Sequence, residues 1–340
     1  MARSDFIMEV RGYLVNPAEK RLRAPWRIGL WVLLAGFVGV VLTLLFAAVP
    51  APAGDTGAVA ALYALAELGW GFFAMGAAGL GVGYLLDRRT LADFGLGLDG
   101  QWWRDAGFGL ALGLGLPTAV LAGQLAVGWT AITSVLPTTT GGTFGLASTG
   151  AVVGLLLLIP FFVVQATAEE ILVRGYLLTN LAEGGAGAAG KTVSTVGATV
   201  LTGALFGLLH WTNPSATPLS VANITLYGVL LGACYVLTGR LGVACGFHVA
   251  WNYALSLWDF PVSGLDTGVA LVGTESTGPE LVTGGAFGPE GGIVALPLLA
   301  LGSGALYWWV RREYDRVGIL DGIAVPDLRI ATRGGEQRGL

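Results

Sequence analysis

Gln165-Ala-Thr-Ala-Glu169-Glu170-Ile-Leu-Val-Arg174-Gly-Tyr176 sets two adjacent carboxylates and an arginine inside a long apolar run. A charged side chain at the centre of a bilayer costs about 3 kcal/mol on insertion scales, so each of these groups needs a partner or a task. Read as a helix, the stretch puts Glu170 and Arg174 four apart on one face and turns Glu169 about 100° away. One acid is then neutralised and the other left free. The free one is where function is to be sought.

The surrounding composition is that of a membrane protein. Of the 340 residues, 54% are apolar and 12% charged, with a mean hydropathy of +0.71, whereas soluble domains carry about 25% charged residues. The apolar runs have the length of about 20 residues that a helix needs to cross hydrocarbon, and they lack the short alternating strands of a membrane barrel. The expected fold is an all-α polytopic membrane protein, a bundle of about eight transmembrane helices. The spans fall at 28–49, 58–86, 106–128, 150–182, 192–211, 219–239, 242–258 and 291–310. They divide the chain into a cytoplasmic leader (1–27), a transmembrane bundle (28–310) and a cytoplasmic tail (311–340). The first run is too long for a signal-peptide core and is followed by further spans, so it reads as a retained helix.

Basic residues orient the bundle, because they gather on the cytoplasmic side. With the N-terminus inside, the inner segments hold the six basic residues of the leader, then Arg88, Arg89 and Arg104, then Lys191, Arg240 and six arginines from Arg311 to Arg338. The outer segments hold none. Both termini are expected in the cytoplasm, and the protein is expected to be a multi-pass protein of the cell membrane. The last outer loop is acidic, with Asp259, Asp266, Glu275, Glu280 and Glu290. A net charge of -4 with no basic stripe excludes a nucleic-acid partner. Residues 88–104 mix apolar and charged positions and are expected to lie along the inner membrane surface. Gly79-xxx-Gly83, Gly109-xxx-Gly113 and Gly203-xxx-Gly207 are spaced for close helix packing. Cys234 and Cys245 read as small buried hydrophobes, and Glu67, Gln124 and Asn223 as interhelical hydrogen-bonders.

Only two histidines occur, both in predicted spans. His210 closes Phe206-Gly-Leu-Leu-His210, and His248 opens His248-Val-Ala-Trp-Asn252; in each the terminal residues share a helix face. A free carboxylate, two imidazoles and a carboxamide on three helices are the parts of a hydrolytic site: a base for water and donors for an oxyanion. They could equally ligate zinc. There is no His-Glu-x-x-His run and no serine in a nucleophile motif. A membrane scaffold or immunity protein of the same fold, and a proton-coupled transporter, are the alternatives to an enzyme.

Glu169-Glu170-x-x-x-Arg174, Phe206-x-x-x-His210 and His248-x-x-x-Asn252, in this order on successive spans, resemble the three motifs of the CPBP intramembrane proteases. That family contains the type II CAAX prenyl endopeptidases and bacteriocin-processing or immunity proteins. The likeness covers about residues 150–255. It implies a catalytic core in which Glu169 activates water with His210, His248 and Asn252 stabilise the oxyanion, and Glu170, Arg174 and Phe206 support the motif. The substrate it implies is a membrane-associated protein or peptide, met in the lipid bilayer. No metal or other cofactor is expected, a zinc-dependent mechanism being the competing view. One tension stands: these spans put His248 near the inner end of its helix and His210 near the outer end of its own, whereas one site needs one depth.

Overall fold

The computed structural model describes residues 12–17, 19–50 and 57–329. The remainder of the leader and of the tail lies outside the described residues, as do the expectations that fall there.

The chain is mostly helical. Helices α1 (Ala24–Ala47) and α2 (Ala58–Leu85) pair at one side of the bundle. Then come α3 (Gly100–Ala126) and α4 (Ala151–Glu170), which continues through a π-helix (Ile171–Leu178) into α5 (Thr179–Ala189). Helices α6 (Lys191–Leu209), α7 (Pro218–Thr238), α8 (Gly242–Leu257) and α9 (Ala295–Tyr314) complete the bundle. Among the described residues six helices are long and apolar enough to cross a membrane: α1, α2, α3, the α4–α5 rod, α6 and α7. The other two expected spans are helical but of a different kind. The 16 residues of α8 make about 24 Å of helix against about 30 Å of hydrocarbon, and α9 carries Arg311 and Arg312 in its last turn.

Two small antiparallel sheets fall outside the all-helix expectation. β1 (Val15–Asn16) pairs with β2 (Arg21–Leu22) before α1. β3 (Thr130–Val135) pairs with β4 (Val272–Ser276), tying the connection after α3 to the long acidic connection before α9. Within that connection Glu290 is buried; it accepts from Trp251 Nε1 at 2.9 Å and from the Ser263 backbone N–H at 2.7 Å, so one of the acids is structural.

Glycine sets the helix spacing. A Cβ on Gly109 would fall 2.3 Å from the Val243 carbonyl oxygen, and one on Gly246 would fall 2.2 Å from that of Ala106, so α3 and α8 touch backbone to backbone. Gly203 and Gly207 meet Thr225 and Val229 of α7 in the same way. The small-residue pairs do pack.

The fourth span outruns its expected end. Instead of stopping near residue 182, the rod continues unbroken to Ala189, 39 residues in all, or about 58 Å at helical rise. Its glycine-rich end stays helical because Gly184 packs against Ala24 and Gly185 against Ser194. Helix α6 therefore begins farther along the bundle axis than a turn at 182 allows, and its C-terminal end arrives at the middle. The depth conflict between His210 and the other motifs came from that boundary.

The segment after α2 is anchored on one face and open on the other, with Leu91, Leu98 and Trp103 exposed. Arg89, Asp93 and Phe94 are fully buried. Arg89 pairs with Asp93 and, at 2.9 Å, with Glu183 of α5, which satisfies the charge that seemed to demand exposure. Trp102 belongs to α3, which starts at Gly100 under an N-cap from Asp99, whose side chain accepts from the Trp102 backbone N–H at 2.9 Å.

Candidate active site

The site forms where the end of α4, the π-helix, the C-terminal end of α6, the middle of α7 and the first half of α8 meet. Glu170 ends α4 and is fully buried, as is Arg174. Arg174 Nη1 donates to Glu170 Oε1 at 2.8 Å and its Nη2 to the Gly228 carbonyl at 3.0 Å. The guanidinium lies 4.4 Å over the Phe206 ring, a cation–π contact that is strong when desolvated. π-helical turns are rare and are frequently found at functional sites, and this one begins directly after Glu170.

His248 connects the two acids. Its Nδ1 lies 2.9 Å from Glu170 Oε1, and its Nε2 lies 3.8 Å from Glu169 Oε2. A ring nitrogen facing a carboxylate carries the proton, so Nδ1 is the donor to Glu170 and Nε2 is turned toward Glu169. Glu169 differs from its neighbour in exposure and in its partners, although each acid has one oxygen without a hydrogen bond among the described residues. Its side chain is 22% exposed against 0% for Glu170. Its Oε1 accepts from Gln165 Nε2 at 2.6 Å, while its Oε2 is buried with no hydrogen-bond partner among the described residues. Asn252, one turn beyond His248, donates through Nδ2 to Gln165 Oε1 at 3.0 Å. Gln165 thus links the first and third motifs; its place four residues before Glu169 on the same helix face was the signal for it.

His210 occupies a short 3-10 turn at the end of α6 and is half-buried. Its Nδ1 is 2.7 Å from the Phe206 carbonyl, so Nδ1 donates and Nε2 is left as the acceptor. Its ring centroid lies 4.7 Å from that of Phe206, which lies 5.8 Å from His248. The second motif thus reaches the others through the Phe206 ring. Tyr227 of α7 meets His248 edge-on at 6.1 Å, and its hydroxyl is buried without a partner among the described residues.

Several polar residues sit elsewhere than interhelical contacts would put them. Asn223 donates to the Glu290 and Gly292 carbonyls of a loop, Gln124 accepts from Thr130 at the start of β3, and Glu67 is exposed on α2. Cys234 and Cys245 are free and buried. Glu170 is held by Arg174 and His248, and among the described residues no group of three or more His, Cys, Asp or Glu side chains is placed to hold a metal ion.

The fold and site define a polytopic membrane helix bundle with a buried carboxylate, histidine and carboxamide cluster. Residues 151–254 match the family model described as Type II CAAX prenyl endopeptidase Rce1-like. The match starts at the first residue of α4 and ends inside α8, so it contains all three motifs, and the family resemblance they carry is shown over that segment. This is a family of proteases. No curated protein and no solved structure matches the chain.

Proposed function

We propose that the protein is an intramembrane endopeptidase of the cell membrane, with both termini cytoplasmic, that hydrolyses a peptide bond in a membrane-associated substrate. The observation that carries the reading is the asymmetry of the two adjacent acids. Glu170 is fully buried and bound to Arg174 and His248, whereas Glu169 has no arginine partner among the described residues, is 22% exposed and turns Oε2 toward the His248 imidazole.

In this reading Glu169 Oε2 takes a proton from a water as its oxygen attacks the substrate carbonyl carbon, and Gln165 fixes the other carboxylate oxygen. The free Nε2 of His210 relays the proton toward the leaving amine. The Asn252 amide has two N–H groups, one of which is spent on Gln165; the other, with His248 Nε2–H in the imidazolium form, donates to the oxyanion. Placing the bundle in lipid brings a membrane-bound peptide to this depth. The name of the matched family supplies the first probe, a farnesylated CAAX-type peptide.

The test is cleavage of that peptide by purified protein in proteoliposomes, wild type against Glu169→Gln. Loss of cleavage with an unchanged unfolding temperature supports the assignment. Equal rates from the two proteins overturn it.

A further inference from the structure

A second site lies at the end of the bundle that carries β1, β2 and the 86–99 connection. There a pocket of about 340 Å³ opens between the start of α1 and the end of α2, within the range of natural ligand sites, about 300–1,000 Å³. Its lining combines the basic Lys20, Arg27 and Arg88, and an Arg21 neutralised by Glu19 and Glu183, with the apolar Leu30, Trp31 and Leu86.

The charges are not balanced within the pocket. Asp87, its acid, is already engaged by the Tyr176 hydroxyl at 2.5 Å and by Arg27 at 3.8 Å. Arg27 in turn is bound to Glu183 at 2.9 Å. Arg88, by contrast, donates to backbone carbonyls alone, those of Glu19 at 2.7 Å and Lys20 at 3.3 Å. Lys20 is exposed and has no ion-pair partner among the described residues. Both residues hold left-handed backbone conformations, with φ of 52° and 60°, which side chains other than glycine adopt at a cost. Arg88 is thus hydrogen-bonded to the turn that carries Lys20, and neither cation has an acidic partner among the described residues.

The apolar side continues outward. Leu30 and Leu86 are 38% and 49% exposed, and the same face of α1 goes on through Leu33, Phe37 and Leu44, all exposed. In a membrane that stripe faces acyl chains, so the pocket joins a basic patch at the membrane surface to a lipid-facing groove. A diffusible anion would use only the first part; a lipid with an anionic head uses both.

We propose that this pocket binds an anionic phospholipid, its phosphate held by Lys20 and Arg88 and one acyl chain laid along Leu30 and Leu86. The site is separate from the glutamate and histidine cluster, and its occupancy does not depend on the protein being a protease.

The test uses the purified full-length chain, delipidated in a neutral detergent, titrated with short-chain phosphatidylglycerol, with phosphatidylcholine of equal chain length, and with inorganic phosphate. Binding is read by the shift in unfolding temperature and by native mass spectrometry. Phosphatidylglycerol is expected to bind saturably and more tightly than phosphatidylcholine, with no effect of phosphate at the same concentrations. Lys20→Glu alters an exposed side chain and should weaken phosphatidylglycerol binding by at least about five-fold, the effect of one basic residue at an anionic surface. Leu30→Trp should do the same by filling the groove. Equal affinity for the two lipids, or phosphatidylglycerol affinity unchanged in both variants, overturns the proposal. Phosphate competing at the affinity of the lipid overturns the assignment to a lipid.

Discussion

Glu169 Oε2 and His248 Nε2 face each other at 3.8 Å, beyond hydrogen-bond range but close enough for one water to bond to both. Among the described residues no group donates a hydrogen bond to that carboxylate oxygen. Glu169→Gln keeps the size and the Gln165 contact while removing the base. The expected result is a fall in kcat of roughly 100- to 10,000-fold, the usual worth of a positioned acid or base, with KM little changed. Steady-state kinetics in proteoliposomes check it.

Glu170 answers to a different measurement. It neutralises Arg174, and both are fully buried. Glu170→Gln leaves an uncompensated buried cation, which costs about 3–5 kcal/mol. Unfolding in detergent should show that loss. The double variant Glu170→Gln, Arg174→Met should recover part of it, because the stranded charge is gone.

Gln165 holds Glu169 with one end and Asn252 with the other. Asn252→Ala should lower kcat by about 100- to 1,000-fold through one lost oxyanion donor. Gln165→Leu should lower it too, and the two effects should fall short of additive, since they share one linkage. Single-turnover rates for the two variants and their combination make the cycle.

Gly246 lies under the turn that carries His248. Adding a methyl there meets the Ala106 carbonyl at 2.2 Å, so Gly246→Ala must push α8 off α3. Overpacking of this kind costs about 1–3 kcal/mol. Activity should fall together with unfolding temperature although every chemical group is retained.

Asp99 gives a pH dependence outside the membrane-spanning helices. Its carboxyl is held below the usual range by the Trp102 backbone N–H and then by Arg240 at 2.7 Å. A carboxyl whose folded value is depressed stabilises above its unfolded value and loses that contribution as pH falls through the folded one. At neutral pH Asp99→Ala should cost about 1 kcal/mol as a lost N-cap. The difference from wild type should shrink once pH drops below about 4, where the unfolded carboxyl protonates. Unfolding of both proteins across that range measures it.

Much of this was legible in residue spacing. The Glu170 to Arg174 interval showed the ion pair, and the interval from Gly109 to Gly113 showed a close helix contact. Hydropathy found the helices but not their lengths: Glu183 and the glycines after it look like a loop, and only their packing against Ala24 and Ser194 keeps them helical. The buried charges around Arg89 were unreadable for a related reason. Their partners are far apart in the chain, with Glu183 94 residues away, and a residue that looks exposed by charge alone becomes burial-tolerant once such a partner arrives. The linkage of His248 to both glutamates was hidden because helix geometry set Glu169 and Glu170 about 100° apart, whereas one imidazole is wide enough to address both.

The shortness of α8 bears on how the protein is made. Sixteen residues that include His248, Asn252 and Ser256 are too few and too polar to partition into lipid as an independent insertion unit. This helix enters only by docking its glycines on α3 while the segment from Trp258 to Leu271 closes over its far end. The third motif is therefore held at its depth by the helices packed around α8 and not by that helix's own affinity for lipid.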